Sequence, residues 1–352
     1  MSKVKELDFS GETIYCGIDS HKTNWKLSTR TDDFELSNFS QNPDPELLSR
    51  YFKKNYPGAK VKAVYEAGFC GFGIQRSLSA LGIECMVVNA ADVPSSDKER
   101  RRKDDRIDAR KLSRQLAEGN LKGIYVPGIE MEHARVLVRQ RWRLVQDQTR
   151  CKNRIKHMLM CHSIKVDGKE NWSGQYVKAL EGISCSVALR AALDLAIGEY
   201  KQIRRLLREA TVAIRQMAMQ PPFVPVQKYL QSIDGIALIN AMVIQTEIQD
   251  IKRFKVLDSL CDYAGLVPDI RSSNDRMVVK GVTKRCNQFL RDAIIESSWV
   301  LIRKDPAMLM KYRIYCSRMN KNKAIIRIGK HLLSRIRYVW ENQKEYERGI
   351  VG

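Results

Sequence analysis

The chain has 352 residues, with 61 Lys and Arg against 40 Asp and Glu, a formal charge of +21. That length accommodates two domains with a sizeable core in each, and so large a basic surplus points to a polyanionic partner, nucleic acid first. No long uncharged apolar run is available to span or anchor in a membrane, the opening MSKVKELDFSGE lacks the apolar core of a signal peptide, and nine cysteines occur without a Cys-x-x-Cys pair, so reduced thiols in a cytoplasm are expected.

Thr13–Asp19 (TIYCGID) reads as a buried strand that ends on an acid. Asn24–Arg30 alternates, with Trp25, Leu27 and Thr29 to one side, and Phe34–Phe39 makes a third strand after the Thr31-Asp32-Asp33 turn. Asn42-Pro43-Asp44-Pro45 caps a helix to about Tyr56, where Pro57-Gly58 ends it. Lys62–Glu66 (KAVYE) is the fourth strand and again closes on an acid. The glycines of Gly68–Gly73 lead into a helix to Gly82, and Glu84–Asn89 is the fifth strand. Arg100–Arg114 (RRRKDDRIDARKLSR) then opens a basic helix, with Asp105 and Asp108 one turn apart on one face. This order is that of an α/β, ribonuclease-H-like domain.

In such a sheet the strand ends gather at one edge, which brings Asp19, Glu66, Asp105 and Asp108 to one place. Four carboxylates there suit hard, oxygen-preferring Mg²⁺, and two such ions can flank a scissile phosphate. Taken singly, each acid reads equally as a turn or cap residue, and the Asp105–Asp108 pair as a solvated face with ordinary salt bridges.

Beyond Pro127-Gly128 the pattern becomes one of long helices, giving three expected domains: 1–127, a helical coiled-coil region at 128–220, and a mostly α domain at 221–352. Leu193, Ala196, Tyr200, Ile203, Leu207, Ala210, Ile214 and Met217 continue a heptad seam begun at Leu189. Ala134–His162 carries a poorer seam, interrupted by Arg141 and Gln148. Two arrangements are open: an antiparallel hairpin around the polar Val166–Gly182 stretch, or pairing with another protomer. The apolar stripe favours oligomerisation. Gln220–Pro225 (QPPFVP) is the clearest linker.

Three stretches, GIDSHK (Gly17–Lys22), YEAG (Tyr65–Gly68) and KDDRIDA (Lys103–Ala109), resemble the acidic motifs of the DEDD transposases of the insertion-sequence one-ten family. That resemblance implies a RuvC-like nuclease domain with Asp19, Glu66, Asp105 and Asp108 as its Mg²⁺ ligands. Asp104 stands where the family has Thr. Leu230–Ala241 (LQSIDGIALINA) resembles a helix-hairpin-helix, a motif whose glycine turn offers N–H groups to phosphate, but Asp234 and Ala237 replace the usual Pro and second Gly. Asp262–Asn274 (DYAGLVPDIRSSN) resembles the family's Gly-Leu-x-Pro loop followed by a serine, which implies Ser273 as the nucleophile, with Ser272 its neighbouring rival. Read without the resemblance, a loop serine beside arginine is a solvated turn residue. Lys280–Arg291 (KGVTKRCNQFLR) resembles the next motif, with Lys280, Lys284, Arg285 and Arg291 set to hold nucleic-acid backbone.

The resemblance further implies a transposase acting on donor and target DNA in the bacterial cytoplasm or nucleoid. It would cleave and rejoin through a phosphoserine, under a structured guide RNA. A homodimer or homotetramer is implied too, the serine of one protomer serving the acids of another. The rival readings are a metal-only nuclease of the Holliday-junction type, an actin-like ATPase or sugar kinase, and a binding protein whose acids are accidental. The ATPase class needs glycine-rich phosphate loops after paired strands, which YEAGFCGFG is too short and unpaired to supply.

Overall fold

A computed structural model describes residues 8–94, 105–166, 170–273, 276–283 and 285–348. The chain divides into two compact units, Met1–Val126 and Pro127–Gly352.

In the first unit β1 (Thr13–Ser20), β2 (Trp25–Arg30), β3 (Glu35–Gln41), β4 (Lys60–Glu66) and β5 (Glu84–Val88) form one sheet, ordered β3-β2-β1-β4-β5. The β1–β2 and β2–β3 pairs are antiparallel, whereas β1–β4 and β4–β5 are parallel. Because side chains alternate between faces, β1, β4 and β5 feed two cores. On one face Ile14, Cys16, Ile18, Ala63 and Tyr65 pack with Leu48 and Phe52 of α1 (Pro45–Asn55) and Ile74 and Leu78 of α2 (Gly73–Ala80). Asp44 starts α1 by accepting from the Glu46 and Leu47 amides at 2.8 and 3.2 Å, as an N-cap should. On the other face Val64 and Val88 pack with Leu112 and Leu116 of α3 (Asp105–Ala117). The expected start of that basic helix, up to Asp104, lies outside the described residues. α3 also covers β2, and Ser113 Oγ donates to the buried Ser28 Oγ at 3.1 Å. Trp25, Leu27 and Thr29 are buried on one side of β2 as expected, and on the other side α3 buries Ser28 as well.

In the second unit α4 (Ile129–Cys161) and α6 (Val187–Ala218) pack along each other. Cys151 Sγ meets the Ala196 carbonyl at 3.4 Å, and Arg141 Nε donates to Thr211 Oγ1 at 2.9 Å, which makes the pair antiparallel. Arg141, a flaw in the apolar seam as read from sequence, thus has its partner across the hairpin. The stretch expected to be polar instead contains α5 (Gly174–Glu181) and delivers Trp172, Tyr176, Val177 and Leu180 to a core shared with Leu193, Ile197, Tyr200 and Ile203. The cover for this seam comes from the same chain, so the stripe that argued for a second protomer is mostly spent internally.

The remaining helices are α7 (Val224–Gln231), α8 (Leu238–Ile248), α9 (Leu257–Tyr263), α10 (Gln288–Lys304), α11 (Pro306–Cys316) and α12 (Lys321–Asn342). Leu230, Ile244, Leu290, Ile294, Leu301, Ile328, Leu332 and Ile336 make their common core. α8 is apolar nearly all round and buried from Ala241 to Ile248, as a central helix must be. The glycine turn of the supposed helix-hairpin-helix faces this core. A Cβ on Gly235 (φ +90°) would lie 2.4 Å from the Ser297 carbonyl of α10. Asp234 beside it is held by both donors of Arg348, at 2.6 and 2.7 Å. A two-stranded sheet, β6 (Pro268–Ser273) with β7 (Arg276–Val282), completes the unit, a strand where sequence reading expected a loop.

Candidate functional site

The acidic edge is built by strand register. Ile18 of β1 pairs with Tyr65 of β4, so the next residues, Asp19 and Glu66, leave adjacent parallel strands at the same end. Both belong to the alternation set of Gly17 and Val64, the face that α3 covers. Gly17 is what lets α3 come so close. A Cβ there would lie 2.1 Å from the Ala109 carbonyl and 2.6 Å from the Ser113 amide, so only glycine fits. Asp108 immediately precedes Ala109 and is carried to the strand ends by that contact.

The electrostatics record the gathering. Burial raises the pKa of Glu66; Lys111 opposes the shift, while the charges of Asp108 and Asp19 add to it. Asp19 Oδ2 lies 3.1 Å from His21 Nε2. Asp105 stands at the first residue of α3, one turn before Asp108, and its side chain lies outside the described residues, as does Asp104 altogether. Among the described residues no three His, Cys, Asp or Glu side chains form a metal-holding group. The donors that do converge are carboxylate oxygens, and at Glu66 burial, with the nearby charges of Asp108 and Asp19, disfavours ionisation. That chemistry fits a hard divalent cation, whose charge would relieve the crowding.

Ser273 belongs to the second unit. It ends β6 and pairs with Arg276, at the far end of the hairpin from the Pro268–Val282 base. Ser272 pairs with Met277. Of the expected nucleic-acid contacts, Lys280 lies on β7, Arg285 is exposed just beyond it, and Lys284 falls outside the described residues. Arg291 is half-buried at the hairpin base, where Nη2 donates to the Thr283 carbonyl. That guanidinium and Cys286 fill the space a Cβ on Gly265 (φ +67°) would need.

Two family models match this chain. One, described as Transposase IS116/IS110/IS902 family, covers residues 227–313, and the DEDD transposase model of IS110 covers residues 16–163. The chain belongs to the IS110 family. It is 28% identical over 256 residues to a putative transposase, y4qE, of Sinorhizobium fredii (strain NBRC 101917 / NGR234), 71% of this chain and 60% of that one. It is 23% identical over 241 residues to the transposase for insertion sequence element IS1111A of Coxiella burnetii (strain RSA 493 / Nine Mile phase I), 65% of this chain and 62% of that one. The chain thus spans about three fifths of these relatives' lengths.

The family's first matched region runs from β1 through α4 and contains all four acids, and its second runs from α7 into α11 and contains Ser273. Sequence reading missed three residues that shape these sites. Gly17 sits inside GIDSHK, quoted for its acid alone, Lys111 lies two residues beyond KDDRIDA, and His21 beside Asp19 was visible in GIDSHK as a polar neighbour without an assigned role.

Proposed function

We propose that the chain is a DNA transposase of an insertion sequence, whose first unit is a ribonuclease-H-like (RuvC-like) nuclease domain. The observation that carries this reading is the convergence of Asp19, Glu66 and Asp108 on one sheet edge, with β1 and α3 in contact at Gly17. The strand order β3-β2-β1-β4-β5, antiparallel and then parallel, supports the domain assignment. Asp19, Glu66, Asp105 and Asp108 would hold Mg²⁺, which supplies charge stabilisation to phosphoryl oxygens when bound. The chain's own part is to keep these carboxylates ionised and oriented. His21 restrains Asp19, Lys111 offsets the crowding at Glu66, and the basic surplus holds DNA.

Ser273 is the nucleophile in this reading. Its Oγ gives up the hydroxyl proton and forms a bond to phosphorus as the bond to the leaving sugar oxygen breaks, and that oxygen takes up a proton, so the step is proton-neutral. Reversal onto a second strand end rejoins DNA. Lys280, Lys284, Arg285 and the outward part of Arg291 would steady the backbone. The +21 charge supports donor and target DNA as partners, and the reading extends to a structured guide RNA, a homodimer or homotetramer and a place in the bacterial cytoplasm. Among the described residues no helix is long and apolar enough to cross a membrane.

The test is a labelled DNA end incubated with full-length protein and Mg²⁺, then run on a denaturing gel. A labelled protein band is expected, lost in Ser273→Ala and kept in Ser272→Ala. Cleavage by wild type with no such band would instead identify a metal-only nuclease.

A further inference from the structure

Glu247 stands out in the second unit. It is the one acid of α8, a helix otherwise apolar at most positions, and its side chain is 0% exposed. An isolated carboxylate there would be strongly penalised, so its partners matter. Arg139 of α4 reaches it with both arms of the guanidinium, Nε to Oε1 and Nη2 to Oε2, each at 2.7 Å. Asn287 Nδ2 donates to the same Oε2 at 2.7 Å and lies 2.9 Å from the Tyr263 hydroxyl. That hydroxyl donates in turn to the Glu247 backbone carbonyl at 3.1 Å. The Arg139 guanidinium also lies over the Phe289 ring, 4.5 Å from its centroid.

The position of these residues in the chain gives the cluster its meaning. Tyr263 ends α9, five residues before β6 begins, and Asn287 follows β7 and caps α10 by accepting from the Leu290 amide. They are the residues on either side of the Ser273 hairpin. The Asn287 amide donates to the Tyr263 carbonyl at 2.9 Å, and the Thr283 amide to the Val267 carbonyl at 3.1 Å, so the two chain paths are zipped together below the strands. Among the described residues β6 and β7 have only each other as strand neighbours. A lone two-stranded hairpin is marginal in water, so its direction must come from its base. Glu247 is the hub of that base, and Arg139 ties the hub to the long helical hairpin.

We infer that Glu247 is a positioning residue for the Ser273 hairpin, and that Arg139 makes the hairpin's attitude depend on helix α4. The consequence for chemistry rests on Ser273 being the nucleophile; the clamp itself does not. Glu247→Gln keeps the shape but loses the charge that holds Arg139, and it turns a donor toward one of its two former partners. Arg139→Leu/Glu247→Leu removes the buried carboxylate and its half-buried partner together. Such apolar replacement of a buried pair restores stability in many proteins, yet here it leaves Asn287 without the carboxylate it grips, while Tyr263 keeps only the backbone carbonyl of residue 247.

The experiment is amide hydrogen exchange over residues 268–282 of the full chain, alongside yield of the DNA–protein band and the melting temperature. Glu247→Gln should speed exchange in the hairpin about tenfold and cut the band at least as much, with DNA binding kept. The double variant should regain melting temperature but not hairpin protection or the band. Tyr263→Phe, a variant that keeps the ring and its packing, should move exchange the same way by about threefold. Arg154→Leu, which breaks the exposed pair with Glu199 on the same long helix, should change none of the three. Unchanged hairpin exchange in both Glu247→Gln and Tyr263→Phe overturns the inference whatever the band does. Recovery of protection and band with stability in the double variant also overturns it, because the pair would then be only structural. If wild type gives no band, the serine reading fails while the exchange result still decides the clamp.

Discussion

The acidic edge and the serine hairpin are held in opposite ways. Asp19 and Glu66 end central strands of a five-stranded sheet with helices on both faces, so the core itself fixes where they leave. Ser273 ends a strand whose only strand partner among the described residues is β7, and what fixes the hairpin is a polar clamp at its base. A site set by close-packed core has few ways to move, because packed interiors do not deform continuously. A site set by a few hydrogen bonds can be redirected by altering one of them. The chain therefore holds its edge acids by packed core and its Ser273 hairpin by a few hydrogen bonds.

The largest effect expected from breaking this contrast is at Gly17. Valine there must displace backbone of α3, since the Ala109 carbonyl would sit 2.1 Å from its Cβ. Chemical denaturation should show the first unit weakened by about 3 kcal/mol, and DNA cleavage should vanish with Asp108 pushed off the edge. A variant that cleaves normally would mean that the α3 contact does not position the acids.

The hairpin base offers the gentler counterpart. Gly265→Ala forces a positive φ on a Cβ and presses it on Cys286 and Arg291, so a cost of about 2 kcal/mol is expected. The first unit should keep its melting behaviour, and any loss should fall on the serine step alone. Equal loss of metal-dependent binding and of serine chemistry would blur the distinction between the two sites.

Much of the rigid site was legible in the sequence, for the same reason that it is rigid. Strands such as TIYCGID and KAVYE announce themselves by apolar residues that a sheet buries, and their terminal acids mark the edge. The role of Gly17 was not legible, because it depends on which helix returns to cover β1. The adjustable site was legible only by resemblance. DIRSS has no apolar alternation to distinguish strand from loop, and β6 exists through pairing with MVVKGV. Glu247 left a trace, as the single acid in LINAMVIQTEI, but its partners Arg139 and Asn287 lie 108 residues before it and 40 after it. The seam of α6 was read correctly as apolar, while its cover was misjudged because Trp172, Tyr176 and Leu180 are scattered through a stretch that looks polar.

The most direct measurement of the central claim is Mg²⁺-dependent cleavage of insertion-sequence end DNA by Asp19→Asn, Glu66→Gln and Asp108→Asn, with binding of the same DNA measured alongside. Replacing a supporting partner of a metal ligand already costs about 10–100-fold, so loss of a ligand should remove at least about a hundredfold of the cleavage. Affinity should hold or rise slightly, since a negative charge beside phosphate is gone. Cleavage at the wild-type rate by any two of the three variants would contradict the account of this edge as the reactive centre.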